Sequence, residues 1–203
     1  SLKSYAKIKY NRDVRFYVPT HSLINYSSWN IVSPESKLID LHSIDGYIAQ
    51  IWTGPARTPN TYNGVYRERT FETGYLEYGI MQELTRGTGR DMWFLHDPIE
   101  DNGAHEWEEY EYHYYKTVVA SLFHPDVYHY EIVPWPNRVY NGKYPRESEE
   151  ARLIPADYAV DLNIIGNALR DMEQTDVAFD NNNSVVGVLI ADSSMFQRVD
   201  FSK

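Results

Sequence analysis

At the centre of the chain, residues 92–98 have the sequence Met-Trp-Phe-Leu-His-Asp-Pro. The four apolar residues that open this stretch predict a short buried strand, and Asp97 stands where the strand gives way to a loop. On either side, residues 70–84 and 107–123 carry apolar and aromatic residues at spacings of three and four, which predicts helices. A strand between two helices is the repeating unit of a parallel α/β fold.

The same alternation extends over the whole chain. The end of a helix is predicted at residues 38–44, and a strong helix is predicted at 156–172 with Val160, Ile164, Ile165 and Leu169 facing inward. Apolar runs predict further strands at 15–19, 47–52, 127–133 and 185–190. Five strands alternating with helices predict an α/β fold in the form of a partial (β/α) barrel, because a closed barrel needs eight strands and about 250 residues.

Most residues outside the predicted strands and helices lie in the loops that follow the strands. One of these polar segments predicts a division of the chain into two parts. Residues 1–178 are predicted to form the partial barrel unit. The polar run 180–184 marks a linker, so that residues 179–203 comprise this linker and a final strand. We expect that final strand to open a following domain.

Composition excludes several classes of function. The net charge of -10 argues against nucleic acid as a partner, and the absence of cysteine excludes thiolate metal sites and a cysteine nucleophile. No run of about 18 apolar residues predicts a membrane span, and no signal peptide opens the stretch, which leaves localisation open between cytoplasmic and secreted. Glycine-rich phosphate loops are missing and the seven histidines lack metal-binding spacing, so no cofactor and no metal are predicted.

The chain is rich in aromatic residues, with 18 Tyr, 5 Trp and 7 Phe. Tyrosine and tryptophan combine an apolar face with a polar tip, which suits them to partly solvated surfaces such as a sugar-binding cleft. Most of these rings are expected in the core. The tryptophans that follow strands, Trp52 and Trp135, are expected to line a cleft for an oligo- or polysaccharide.

Three carboxylates are candidates for catalysis. Asp97 and Glu131 lie at the ends of two different predicted strands, and Glu72 lies near the start of a helix. Hydrolysis of a glycosidic bond needs one protonated and one ionised carboxyl group, and different strands can give the two groups different environments. The competing interpretation is structural, because an Asp after a strand often caps the next helix and a first-turn Glu complements the helix dipole.

Polar and aromatic residues of the same loops are candidates for substrate binding. The loops 52–60 and 135–138 each begin with Trp, contain Pro and continue with hydrogen-bonding side chains. Because the carboxyl ends of parallel strands meet at one end of a sheet, these side chains are expected to line one cleft. The predicted binding residues are His21, Trp52, Arg57, Asn60, His96, Trp135 and Arg138.

Taken together, Glu72, the His96-Asp97-Pro98 strand end, the Tyr130-Glu131 strand and the Trp-Pro loops resemble the second half of glycoside-hydrolase barrels, loosely those of family 42-like β-galactosidases. Residues 185–193 resemble the opening strand of a flavodoxin-like or amidotransferase-like domain, which follows the barrel in that family. The Asn-Glu pair that usually carries the acid/base Glu on the fourth strand is absent. The resemblance therefore implies a fragment of a glycoside hydrolase that is inactive alone.

Two other functions compete with hydrolysis. The chain could be a non-catalytic carbohydrate-binding or scaffold domain in which the acids are surface charge, or another sugar-handling barrel enzyme such as an isomerase or lyase. Side chains of Asp97 and Glu131 on opposite faces of the sheet would leave only the scaffold interpretation. In isolation, a partial barrel with open sheet edges is expected to form a homo-oligomer.

Overall fold

The computed structural model describes residues 2–21, 26, 35–99 and 103–172. Its strands and helices alternate along most of the chain, as the α/β prediction requires. The helices are α1 Leu2–Tyr10, α2 Glu35–Leu38, α3 Thr53–Arg57, α4 Thr70–Thr85, α5 Trp107–Ser121, α6 Pro136–Asn141 and α7 Ala156–Met172. The strands are β1 Tyr17–His21, β2 Gly46–Ile51, β3 Asn60–Tyr62, β4 Val65–Arg67, β5 Asp91–His96 and β6 His129–Ile132.

Four of these strands form one parallel sheet in the order β1-β2-β5-β6, and β3 and β4 form a separate antiparallel hairpin. The order in the sheet is the order in the chain, with helices between the strands. The predicted α/β fold with parallel strands is therefore confirmed, and its topology is consistent with a partial β/α fold.

One face of the sheet packs against α4 and α5. The side chains on this face come from alternate strand residues such as Tyr47, Ala49 and Phe94, and they meet Tyr78 and Met81 of α4 in a fully buried core. Alternation assigns the intervening residues to the other face. Gly46 opens β2 because a Cβ there would lie 2.4 Å from the carbonyl oxygen of Asp91 on β5, too close for any side chain.

A second core of aromatic rings joins α5, α6 and α7. Trp107 donates from its indole nitrogen to the carbonyl oxygen of Arg152 at 2.8 Å, and Tyr158 donates from its hydroxyl to the carbonyl oxygen of Pro98 at 2.9 Å. Tyr110, Tyr114 and Tyr144 fill the space between them. Because the buried tyrosine of α7 bonds to the loop after β5, this core attaches α7 to the carboxyl end of the sheet.

The inward face predicted for α7 is wrong in part. Val160 and Ile164 are 55% and 57% exposed, whereas Tyr158, Leu162 and Leu169 are buried. Both sets recur with helical spacing, so periodicity alone could not choose between them. The hydrogen bond of Tyr158 and the ring contacts of the second core determine which stripe faces inward.

Other predicted bounds shift or gain structure. The first strand begins two residues later than predicted, and the helix that was expected to end within 38–44 is a single turn at Glu35–Leu38. The loops expected after β2 and β6 contain α3, the β3–β4 hairpin and α6. The strand predicted at 185–190 and the segment 179–203 lie outside the described residues.

Candidate functional site

The carboxyl ends of the four parallel strands bring a row of side chains to one face of the sheet. In the register of the sheet, His21 pairs with Gln50, Gln50 with Leu95, and Leu95 with Glu131. Paired residues of neighbouring strands point to the same face. Glu131 therefore lies on the face opposite the one that packs against α4 and α5.

Asp97 is held by several contacts at this end of the sheet. Its residue is 4% exposed. Its Oδ1 accepts the backbone N–H of Ile99 at 3.1 Å, and its Oδ2 accepts the side-chain amide of Gln50 at 3.1 Å. The bond to Gln50 places the carboxyl group on the same face as Glu131. Asp97 and Glu131 therefore do not point to opposite faces of the sheet, the arrangement that would have left only the scaffold interpretation.

Arg138 forms an ion pair with Asp97. Its Nη1 lies 3.7 Å from Asp97 Oδ2, and its Nε donates to the Tyr144 hydroxyl at 3.3 Å. The same hydroxyl accepts a hydrogen bond from Arg146 at 3.0 Å. An ionised carboxylate accepts hydrogen bonds and attracts cations, and Asp97 is surrounded by two hydrogen-bond donors and one cation. The loop after β6 is helical at this point, which turns Arg138 toward the neighbouring strand end.

Trp52 and His21 form an aromatic corner beside this cluster. Their ring centroids lie 4.7 Å apart at an interplanar angle of 77°, an edge-to-face contact. Trp52 directly precedes α3, where Thr53 donates from its hydroxyl to the carbonyl oxygen of Asp97 at 3.2 Å. The loop after β2 is thereby tied to the end of β5. Trp135 precedes α6 and is 45% exposed.

His96 is placed elsewhere than predicted. It is fully buried on the helix-facing side of β5, with its ring centroid 5.7 Å from that of Tyr78 and 5.4 Å from that of Tyr130. Burial lowers the pKa of His96 to about 3, so the imidazole is neutral at pH 7. The physical reason for the difference is strand alternation, which sends His96 and Asp97 to opposite faces.

Arg57, at the end of α3, belongs to a second polar cluster. It is 7% exposed, and it contacts Glu68 at 2.9 Å and Glu109 at 3.1 Å. Glu68 also lies 3.3 Å from Nε2 of His113, whose Nδ1 pairs with the Thr70 hydroxyl at 2.7 Å. Burial, and secondarily the charge of Arg57, lowers the pKa of His113 to about 4.

The two remaining predicted residues lie outside the Asp97 cluster. Asn60 opens the β3–β4 hairpin and accepts a hydrogen bond from Arg69 at 3.0 Å. Glu72 is exposed on the first turn of α4. Its catalytic role stays a prediction, as does that of Asn60 in binding.

Sequence reasoning missed Gln50 and Tyr144, the two residues that fix Asp97 and its arginine. Gln50 was visible only as one polar residue within an apolar strand, which is a signal for a side chain that faces a site. Tyr144 carried no local signal, because its role depends on two arginines that converge on it from both directions along the chain.

The described part of the chain shows neither a metal-binding cluster nor a helix that could span a membrane. No three side chains of His, Cys, Asp or Glu in that part are grouped so that they could bind a metal ion. None of the helices in that part has the length and apolar character needed to cross a membrane.

Comparisons of this chain with protein-family models, with curated proteins and with solved structures found no match.

Proposed function

We propose that the chain is part of a carbohydrate-active enzyme, a glycoside hydrolase that works through paired carboxylates in an aromatic-lined cleft. The observation that carries the proposal is Asp97, a buried carboxylate held by two hydrogen-bond donors and an ion pair at the carboxyl end of an inner parallel strand. In (β/α) barrels the catalytic groups occupy this end of the strands.

The residues divide into roles as follows. Asp97 supplies the ionised carboxylate, because Gln50, Arg138 and the amide of Ile99 all stabilise a charged acceptor. Glu131 on the next strand is the candidate for the partner carboxyl group, since it faces the same side of the sheet. Trp52, His21 and Trp135 offer ring faces and polar tips to a sugar.

The alternative is a non-catalytic carbohydrate-binding or scaffold domain. One observation favours it: both oxygens of Asp97 already accept hydrogen bonds from within the fold, one of them from the backbone two residues later. An Asp that only shaped the loop after β5 would look the same. The two functions differ in whether the negative charge of Asp97 acts on the ligand.

A charged ligand tests this difference without requiring turnover. An iminosugar such as deoxynojirimycin carries an ammonium group where a glycosidase develops positive charge, so it binds to an ionised catalytic carboxylate. We expect the native chain to bind it, and Asp97→Asn to weaken that binding about thirtyfold, the minimum effect for a desolvated charge pair. Calorimetry measures both affinities.

The matched control is Asp171→Asn, which removes an exposed carboxylate from α7 and should leave the affinity unchanged. Circular dichroism establishes that each variant is folded. Equal affinities of the native chain and Asp97→Asn for the iminosugar, or no binding to the native chain, would refute the hydrolase proposal. Binding of neutral sugars that survives Asp97→Asn while the iminosugar is ignored would support the binding-domain alternative.

A further inference from the structure

The loop after β2 carries the β3–β4 hairpin, whose six strand residues are all exposed. Tyr62 is 65% exposed and Tyr66 is 70% exposed. A two-stranded hairpin is marginally stable in water when it buries nothing. Specific contacts must therefore stabilise the β3–β4 hairpin.

Two features order the hairpin from within. Asn63 and Gly64 form its turn with φ angles of 48° and 75°, the left-handed pair that a two-residue type I′ turn requires. Arg69, only 8% exposed, donates from its guanidinium to Asn60 Oδ1 at 3.0 Å and to the carbonyl oxygens of Val65 at 2.8 Å and Arg67 at 3.3 Å. One buried arginine thus holds both strands.

The base of the hairpin is fixed to the body of the molecule. Glu68, the residue after β4, accepts from Arg57 Nε at 3.0 Å and lies 3.3 Å from Nε2 of His113 on α5. Arg57 and His113 are buried, so the base of the hairpin is attached to side chains that are held in the body of the molecule. The hairpin is ordered by these contacts while its tyrosine rings stay exposed. It therefore presents a preformed binding surface.

Charge indicates what kind of ligand this surface fits. Of the hairpin residues 60–67, only Arg67 is charged, although charged residues make up 24% of the sequence. Strand pairing puts Arg67 on the same face as Tyr62 and Val65, so the opposite face, with Thr61 and Tyr66, carries no charged side chain. The surface therefore complements a neutral polymer with apolar faces and hydroxyl groups. The same loop begins with Trp52 and Thr53, and Thr53 bonds to Asp97, so the hairpin belongs to the loop that adjoins the candidate site.

We propose that the hairpin is a remote binding element for an extended neutral oligosaccharide, with Tyr66 as the ring on which a sugar unit stacks. The inference rests on the proposed function, because the reactive unit of the same ligand would lie at Asp97. Tyr66 is chosen over Tyr62 because strand pairing puts the two rings on opposite faces, and the guanidinium of Arg69 lies 5.8 Å from the Tyr62 ring.

The test compares long and short ligands. Affinities of the full chain are measured by calorimetry for cello-, malto-, xylo- and chito-oligosaccharides of two and six units, and for deoxynojirimycin. We expect at least one six-unit ligand to bind more tightly than its two-unit form. Tyr66→Ala should weaken binding of that six-unit ligand about tenfold, the effect of one aromatic stacking contact, and should leave binding of deoxynojirimycin unchanged.

Two variants make the result specific. Tyr66→Phe keeps the ring and should retain most of the affinity for the six-unit ligand. Tyr10→Ala removes a similarly exposed tyrosine, 58% exposed on α1, and should change nothing. Circular dichroism confirms folding of each variant.

The outcomes separate the two proposals. If the iminosugar binds in an Asp97-dependent manner but Tyr66→Ala has no effect on any six-unit ligand, the hairpin inference fails and the hydrolase proposal stands. If Tyr66→Ala weakens a six-unit ligand but the iminosugar does not bind, the hairpin inference stands and the hydrolase proposal fails. If no saccharide in the panel binds, the hairpin inference fails as well.

Discussion

At the scale of single residues, the end of β5 puts two opposite environments side by side. Asp97 is surrounded by hydrogen-bond donors, whereas its neighbour His96 is enclosed by the rings of Tyr78, Tyr114 and Tyr130. Among the described residues, neither ring nitrogen of His96 has a hydrogen-bond partner. The imidazole is buried in its neutral form, so protonation must destabilise the fold.

The pKa of His96 predicts how stability changes with pH. Its pKa falls from the usual 6.5 to about 3 on folding, so the unfolded chain binds the proton first as the pH drops. The contribution of His96 is fully present above about pH 6.5 and is lost as the pH falls toward about 3. By pH 5.0 the loss should reach about 2 kcal/mol, at 1.36 kcal/mol for each unit of pKa.

Replacing the imidazole by a ring that does not titrate tests this effect. We expect His96→Phe to gain about 2 kcal/mol relative to the native chain when the pH is lowered from 7.5 to 5.0. Unfolding in urea at both pH values measures the difference. Tyr130→Phe is the control, since it alters the same ring cluster without removing an imidazole and should follow the native chain. A pH-independent difference for His96→Phe would contradict the prediction.

At the scale of elements, the loop after β2 has secondary structure of its own. It contains α3 and the β3–β4 hairpin, and two buried arginines, Arg57 and Arg69, hold these pieces together. Arg69 acts through several donors arranged in a fixed fork, which a lysine ammonium cannot reproduce. The order of the hairpin should therefore depend on the guanidinium and not only on its charge.

Amide hydrogen exchange can measure this dependence. In Arg69→Lys we expect the hairpin amides to exchange about tenfold faster or more, corresponding to about 1.4 kcal/mol of lost local stability. The amides of β2 and β5 should keep their protection. Arg67→Lys, a change in the exposed β4 strand, is the control and should leave hairpin exchange unaltered. Unchanged exchange in Arg69→Lys would mean that the turn alone orders the hairpin.

At the scale of the whole molecule, the sheet has two edges among the described strands. β1 and β6 each pair with one neighbour there, and the register gives no further strand beyond them. Pro19 in β1 has no N–H to donate, which suits a strand at an edge. Beside β6 lies a cleft of about 410 Å³, lined by residues that include Ile132, Val133, Leu162 and Gly166.

We expect the isolated chain to form a dimer or a higher oligomer. Edge strands that pair with no further described strand favour association, and a two-fold arrangement is the commonest form. The interface should exceed the roughly 1,600 Å² of a standard complex. Sedimentation equilibrium at micromolar concentration measures the mass, which should be at least twice that of the 23.8 kDa chain. A stable monomer would contradict the prediction.

The sequence by itself determined the class of the fold and the positions of its main elements. The limits of α7 agree with the prediction at both ends, and those of α4, α5 and β5 agree to within two residues. These elements have strong periodicity or continuous apolar runs, which are local properties of the chain. Asp97, Trp52 and His21 were placed at strand ends for the same reason.

Only the tertiary structure decided which side chains meet. Gln50 reaches Asp97 because the register of β2 and β5 aligns Gln50 with Leu95, and Arg138 reaches it because the loop after β6 folds into a helix. His96 turned into the core, and Val160 and Ile164 turned outward, although local pattern allowed the opposite. Such contacts join residues about 40 to 50 positions apart in the chain, and strand register and packing, which no local pattern contains, determine them.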